Sequence, residues 1–113
     1  MATFAIASKP TFTASITVVI PGDAEDGKPE THTFVARYKR LPKAEFKALL
    51  ERQVSQDDAM RDLVVGWTGL LDSEGSEVPF SAEHLESLLA IPQMPLALSR
   101  AFYLNNSGAE LKN

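Results

Sequence analysis

Three features of the sequence predict a small α+β domain, with an N-terminal antiparallel β-hairpin or three-stranded sheet packed against about four C-terminal helices. Two runs near the N-terminus alternate apolar and polar residues, apolar residues recur at helical spacing after Pro42, and turn-forming residues punctuate the chain between these segments. A chain of 113 residues holds one domain with a modest core. The expected layout is a single domain over 1–113, with a β-rich part (1–42), a helical part (43–107) and a flexible tail (108–113).

From Phe12 to Ile20 the residues Phe12, Ala14, Ile16, Val18 and Ile20 fall on one side and Thr13, Ser15, Thr17 and Val19 on the other. A period of two, rich in β-branched residues, is a strand pattern. Pro21-Gly22 ends it, and the acidic stretch from Asp23 to Glu30 is expected to be a surface loop. A second alternating run, Thr31 to Arg40, sets Phe34, Ala36 and Tyr38 against Thr33, Val35, Arg37 and Lys39, which completes a hairpin. Because a lone hairpin is marginal in water, its apolar face needs a cover of helices or another strand. Phe4 and Ile6 are candidates for a short third strand.

Pro42 suits the first turn of a helix, and Phe46, Leu49 and Leu50 extend that helix to about Gln53. Ser55 with Asp58 resembles a capping box and opens a second helix, whose stripe Met60, Leu63, Val64 and Trp67 carries it to Gly66 or Gly69. Asp72-Ser73-Glu74-Gly75 is turn chemistry. A third helix is capped by Ser81, buries Leu85, Leu88 and Leu89, and stops before Pro92. The fourth, from Gln93 or Pro95 to Asn105 or Asn106, buries Met94, Leu98, Ala101 and Phe102, with Gly108 beyond its end. The residues from Asn105 onward are expected to fray.

The formal charge of −4 and a pI near 5.1 offer no general attraction to nucleic acid or anionic lipid. Without cysteine there is no disulfide, thiolate metal site or cysteine nucleophile. The start, MATFAIASKPTF, has no basic leader, and no apolar run approaches the roughly 20 residues that span a bilayer, so a soluble cytoplasmic protein is expected.

Candidate chemical motifs fail on their surroundings. Gly22 to Lys28 fits the phosphate-loop spacing GxxxxGK, but Pro29 stands where Ser or Thr should bind magnesium, and Asp23, Glu25 and Asp26 would repel phosphate. His32 and His84 share no metal-ligand spacing, and Asp57, Asp58, Asp62, Asp72, Glu74 and Glu77 lack the ladder of an EF-hand loop. No catalytic residue, cofactor or metal is assigned, and the expectation is a non-enzyme. The cluster Arg37, Tyr38, Lys39, Arg40, Lys43 and Lys47 reads as a solvated basic face. Trp67 reads as a core residue. In the fourth helix, Leu96, Arg100 and Tyr103 fall opposite Met94, Leu98 and Ala101, beside Ser99, and form a candidate partner-binding strip.

Read in order, Lys9-Pro10-Thr11-Phe12-Thr13, Ile20-Pro21-Gly22, Phe34-Val35-Ala36-Arg37-Tyr38-Lys39-Arg40, Gly66-Trp67, Asp72 with Glu74-Gly75, Pro79-Phe80-Ser81, Leu88-Leu89 and Lys112-Asn113 resemble the tail assembly chaperones of long-tailed bacteriophages and prophages. The resemblance spans most of the chain. It implies a non-catalytic protein that binds the tape measure protein and keeps it soluble while major tail tube subunits polymerise around it. It also implies residence in the cytoplasm of the infected or lysogenic host, absence from the mature virion, and no nucleic-acid or membrane partner. Self-association and a longer frameshifted form are compatible with it. Lys112-Asn113 admits the codons AAA-AAC, part of a slippery heptamer, a hypothesis that the coding DNA tests. The competing expectation is a tail or head-to-tail connector component that stays in the virion.

Overall fold

The computed structural model describes residues 10–106. Strands β1 (Thr11–Ile20) and β2 (Glu30–Lys39) are followed by helices α1 (Lys43–Arg52) and α2 (Gln56–Leu63), strand β3 (Val64–Thr68), and helices α3 (Ala82–Leu89) and α4 (Met94–Asn106). The strands form one antiparallel sheet in the order β1-β2-β3, and the fold is α+β. Candidate strand residues Phe4 and Ile6, Gly108 beyond the last helix, and the expected tail 108–113 lie outside the described residues.

The hairpin follows from its alternation. Ala14, Ile16 and Val18 of β1 and Phe34, Ala36 and Tyr38 of β2 are buried on the helix side, while Thr13, Ser15, Thr17 and Arg37 face water. Register is unbroken from Thr11 opposite Lys39 to Ile20 opposite Glu30, as expected where a one-residue slip would turn the whole apolar set outward. The connecting loop contains the phosphate-loop-like string. There Gly27 has φ 74° and Gly22 lies so close to the Lys28 carbonyl that a Cβ would sit 2.6 Å from its oxygen, so both glycines serve the turn.

The third strand comes from a segment expected to be helical, which also interrupts the helical part expected over 43–107. Helix α2 starts as predicted, with Ser55 Oγ accepting the Asp58 amide at 3.1 Å, but it ends at Leu63. Val64-Val65-Gly66-Trp67-Thr68 then pairs with β2. Two causes favour the strand. Adjacent β-branched valines and a glycine are weak helix formers, and the outer edge of β2 offers unpaired backbone groups that a strand satisfies. The register shifts between Arg37 and Tyr38, where β3 carries an extra residue. That bulge returns both Val64 and Trp67 to the core although they are three residues apart, and so imitates helical spacing. Trp67 lies opposite Ala36, whose small side chain leaves room for the indole.

Helices α2 and α4 cover the sheet, with α4 against β1 and α2 reaching both α4 and β3. The cluster at the centre joins Phe12, Tyr38, Phe46, Phe102 and Tyr103, with ring centroids 5.4–6.0 Å apart. The Tyr38 hydroxyl donates to the Leu98 carbonyl at 2.8 Å, which locks α4 across β2. Helix α1 packs on this cluster through Phe46, and its Leu49 is buried in the core. Ser81 Oγ caps α3 by accepting the His84 amide at 3.0 Å, and Arg61 of α2 holds Glu86 of α3. Fraying from Asn105 onward is not observed for Asn105 or Asn106. Asn106 accepts the Leu41 amide at 3.0 Å and donates to the Leu41 carbonyl at 3.2 Å, fastening the end of α4 to the linker after β2. Among the described residues no helix is long and apolar enough to cross a membrane.

Candidate functional site

A narrow hairpin between β3 and α3 builds an open apolar cleft. Leu70 accepts the Val78 amide at 2.8 Å, Leu71 bridges Glu77, and the Asp72 amide donates to the Ser76 carbonyl at 2.9 Å. The turn is closed by its own acid: Asp72 Oδ1 accepts the amides of Glu74 and Ser76 at 2.9 and 3.0 Å, while Gly75 supplies φ 83°. Glu77 Oε1 accepts the Gly69 amide at 3.0 Å. These carboxylates therefore have structural roles, and among the described residues no group of three or more acids and histidines is placed to hold a metal ion.

Trp67 joins this hairpin to the sheet. Its indole N–H donates to the Val78 carbonyl at 2.7 Å, and Phe80 meets the ring edge-on with centroids 4.8 Å apart. His84, in the first turn of α3, shares a 2.7 Å hydrogen bond with the Pro79 carbonyl through Nδ1, which makes Nδ1 the protonated nitrogen. The hairpin, the Pro79 corner and α3 are thereby held at fixed spacing.

Between them lies a cleft of about 460 Å³. Its walls are Leu70, Leu71, Val78, Pro79, Leu88 and Ile91, and its rim carries Asp72, Glu77, His84 and Ser87. A second cleft of about 280 Å³ shares Leu70, Leu71, Leu88 and Ile91 and continues over Val18, Ile20, Phe34 and Met94 at the loop end of the β-hairpin. The two clefts adjoin as an apolar groove through these four shared residues, and Asp72 and Glu77 border the first. Leu71 remains 56% exposed beside it. Such a groove suits the apolar face of an amphipathic helix with basic flanks.

The strip expected on α4 is divided. Leu96 is 61% exposed and Arg100 is exposed, but Tyr103 is half-buried and stacks on Phe46 at 5.7 Å. Ser99, expected beside that strip, is buried. The cause is that α4 is covered from several directions, by the sheet, by α2 and by Phe46 of α1, so its buried arc is wider than one apolar stripe. Of the basic cluster, Arg37, Lys39, Arg40, Lys43 and Lys47 are exposed, as expected of a solvated face. Tyr38 is fully buried, and burial pushes its phenol well above the ordinary tyrosine range. Arg37 donates to Thr11, Lys39 pairs with Asp62 at 3.2 Å, and the Arg40 guanidinium lies 5.5 Å from the Phe12 ring centre. His32 pairs with Glu30 at 3.2 Å, far along the chain from His84.

Sequence reasoning missed Leu70, Leu71, Val78 and Ile91 as a surface. The available signal was the pair Leu70-Leu71 immediately before an acidic Gly-containing turn with Val78 after it, a short hairpin pattern with apolar residues on both arms. No family model, curated protein or solved structure matches the chain.

Proposed function

We propose that this chain is a tail assembly chaperone of a long-tailed bacteriophage or prophage, and that the groove between the Leu70–Val78 hairpin and α3 takes an amphipathic helix of the tape measure protein. One observation carries the reading. Several of the residues on which the family resemblance rests, Trp67, Asp72, Gly75, Pro79 and Phe80, are those that shape or hold the groove, and Leu88 lines it. An apolar trough needs no catalytic group to keep a long helical client soluble while tail tube subunits polymerise around it. Its acidic rim and the net charge of −4 favour a client helix flanked by Lys or Arg. Several copies along one client would add avidity. Action in the host cytoplasm and absence from the finished particle belong to the same proposal.

The test is co-expression with the long helical protein encoded downstream in the source genome. A soluble complex is expected, weakened by Leu71→Asp. With Leu71 about half exposed before binding, its remaining burial contributes about 1 kcal/mol. A carboxylate forced into the same contact adds a desolvation cost, so the dissociation constant should rise at least about tenfold. Binding unaffected by this substitution, or no complex with the native chain, overturns the proposal. Recovery of the chain from purified virions would replace it with the tail or connector component.

A further inference from the structure

We propose that β1 is a self-pairing edge, and that two copies of this chain join antiparallel through it, centred on Ser15, to make a continuous six-stranded sheet. The proposal is independent of the function assigned to the groove. Among the described residues β1 has a neighbour on one side only, β2. The Arg40 amide donates to the Pro10 carbonyl at 2.8 Å. This bond fixes the phase of the ladder: the even-numbered residues of β1 point their backbone groups at β2. The N–H and C=O groups of Thr11, Thr13, Ser15, Thr17 and Val19 consequently point outward from the sheet edge.

Proteins usually guard such an edge with charge, proline or a bulge. Thr11 to Ile20 has none of these: the stretch TFTASITVVI is uncharged in a chain whose residues are 23% charged, and its register with β2 is continuous. The floor beyond the edge is also prepared. A shallow cleft of about 180 Å³ runs between Ser15, Ile16 and Thr17 and the flank of α4, where Ala97, Ala101 and Leu104 supply apolar surface and Arg100 and Asn105 a polar margin.

A second copy is the occupant that these features fit. Outward residues must pair with outward residues, which permits Ser15 opposite Ser15 of the partner subunit on a two-fold axis. Thr13 then meets the partner's Thr17, and Thr11 meets the partner's Val19. On the helix side Ala14 meets the partner's Ile16. No like charges oppose one another, and threonine and β-branched pairs are favourable across strands. The strand itself carries no charge to select a foreign sequence; the cations beside it are Arg37, which donates to Thr11 Oγ1, and Arg100 in the cleft. The contact closes, because the two-fold consumes both copies of β1, while the opposite edge is a strand of five residues, Val64–Thr68, with a bulge.

Sedimentation equilibrium of the full chain should give twice the 12.3 kDa chain mass. Ser15→Lys places two ammonium groups together at the axis and should return the monomer mass with folding still cooperative, because this side chain faces water in the monomer, and should remove the concentration dependence of the melting temperature that a native dimer confers. Thr17→Pro, which removes an outward N–H not used by β2, should do the same. The chain has no cysteine, so Ser15→Cys should oxidise to a covalent dimer across a pair whose Cα separation, about 5.5 Å, admits a disulfide, whereas Val35→Cys on central strand β2 should not. A monomeric native chain, a dimer that persists in Ser15→Lys and Thr17→Pro, or equal cross-linking by the two cysteine variants overturns the proposal.

Discussion

Truncating Trp67 to Ala should cost about 3–5 kcal/mol, the usual range for removing a buried aromatic side chain. The structure says where that energy resides. The indole is only 9% exposed, lies over Ala36, meets Phe80 edge-on and donates to the Val78 carbonyl. Within the total, the ring pair accounts for about 0.5–1.5 kcal/mol and the hydrogen bond for about 1 kcal/mol, the rest being burial and the cavity left behind. Urea unfolding followed by far-ultraviolet circular dichroism is the suitable assay, since Trp67 is the only tryptophan and its fluorescence vanishes with it. For a slope near 2 kcal/mol per M, a loss of about 4 kcal/mol lowers the midpoint by about 2 M. Should the alanine variant be too unstable to study, Trp67→Phe keeps a ring and removes the N–H, with an expected loss of about 1–2 kcal/mol. A midpoint that moves by less than about 0.5 M in Trp67→Ala would refute the placement of Trp67 in the core.

Three further outcomes are expected. Ser81→Ala removes the oxygen that accepts the His84 amide and should destabilise the chain by about 1 kcal/mol in the same urea assay. Ser99→Ala should be stabilising by about 1 kcal/mol, because the Ser99 hydroxyl is buried on α4 without a hydrogen-bond partner among the described residues; a loss of stability would reveal a bond to that oxygen. The Arg61 hydrogen bond, with the charge behind it, holds the Glu86 carboxyl below the ordinary glutamate range. Its contribution is therefore fully present above the unfolded pKa and is lost as pH falls through the lowered folded value, so Glu86→Gln should flatten the acid side of the stability profile and an NMR titration of Glu86 should show a depressed midpoint.

Much of the fold was legible because local signals agreed with one another. Strict alternation in β1 and β2 left one register that buries Ile16, Phe34 and Tyr38 together. Ser55 and Ser81 marked the helix starts through caps that depend on adjacent residues only. Strand β3 was not legible, because its bulge spaces Val64 and Trp67 as a helix would, and the deciding partner, the open edge of β2, lies far away in sequence. The same limitation affected α4. Its periodicity places Tyr103 outward, but Phe46, from a helix fifty-odd residues earlier, covers it. The groove was hardest to see, since neither arm of the hairpin nor α3 makes a surface alone; the Trp67 bond to Val78 and the His84 bond to Pro79 set their separation. A site made by packing distant segments leaves only composition in the sequence, here Leu70-Leu71 beside an acidic turn.

The proposed function is tested most directly by an NMR titration of the isotope-labelled chain with helical segments of the proposed client, a tape measure protein from the source genome. Amide perturbations concentrated at Leu70, Leu71, Val78, Leu88 and Ile91, abolished by Leu71→Asp, are expected. Perturbations centred instead on Leu96 and Arg100, or none with any segment, would contradict it.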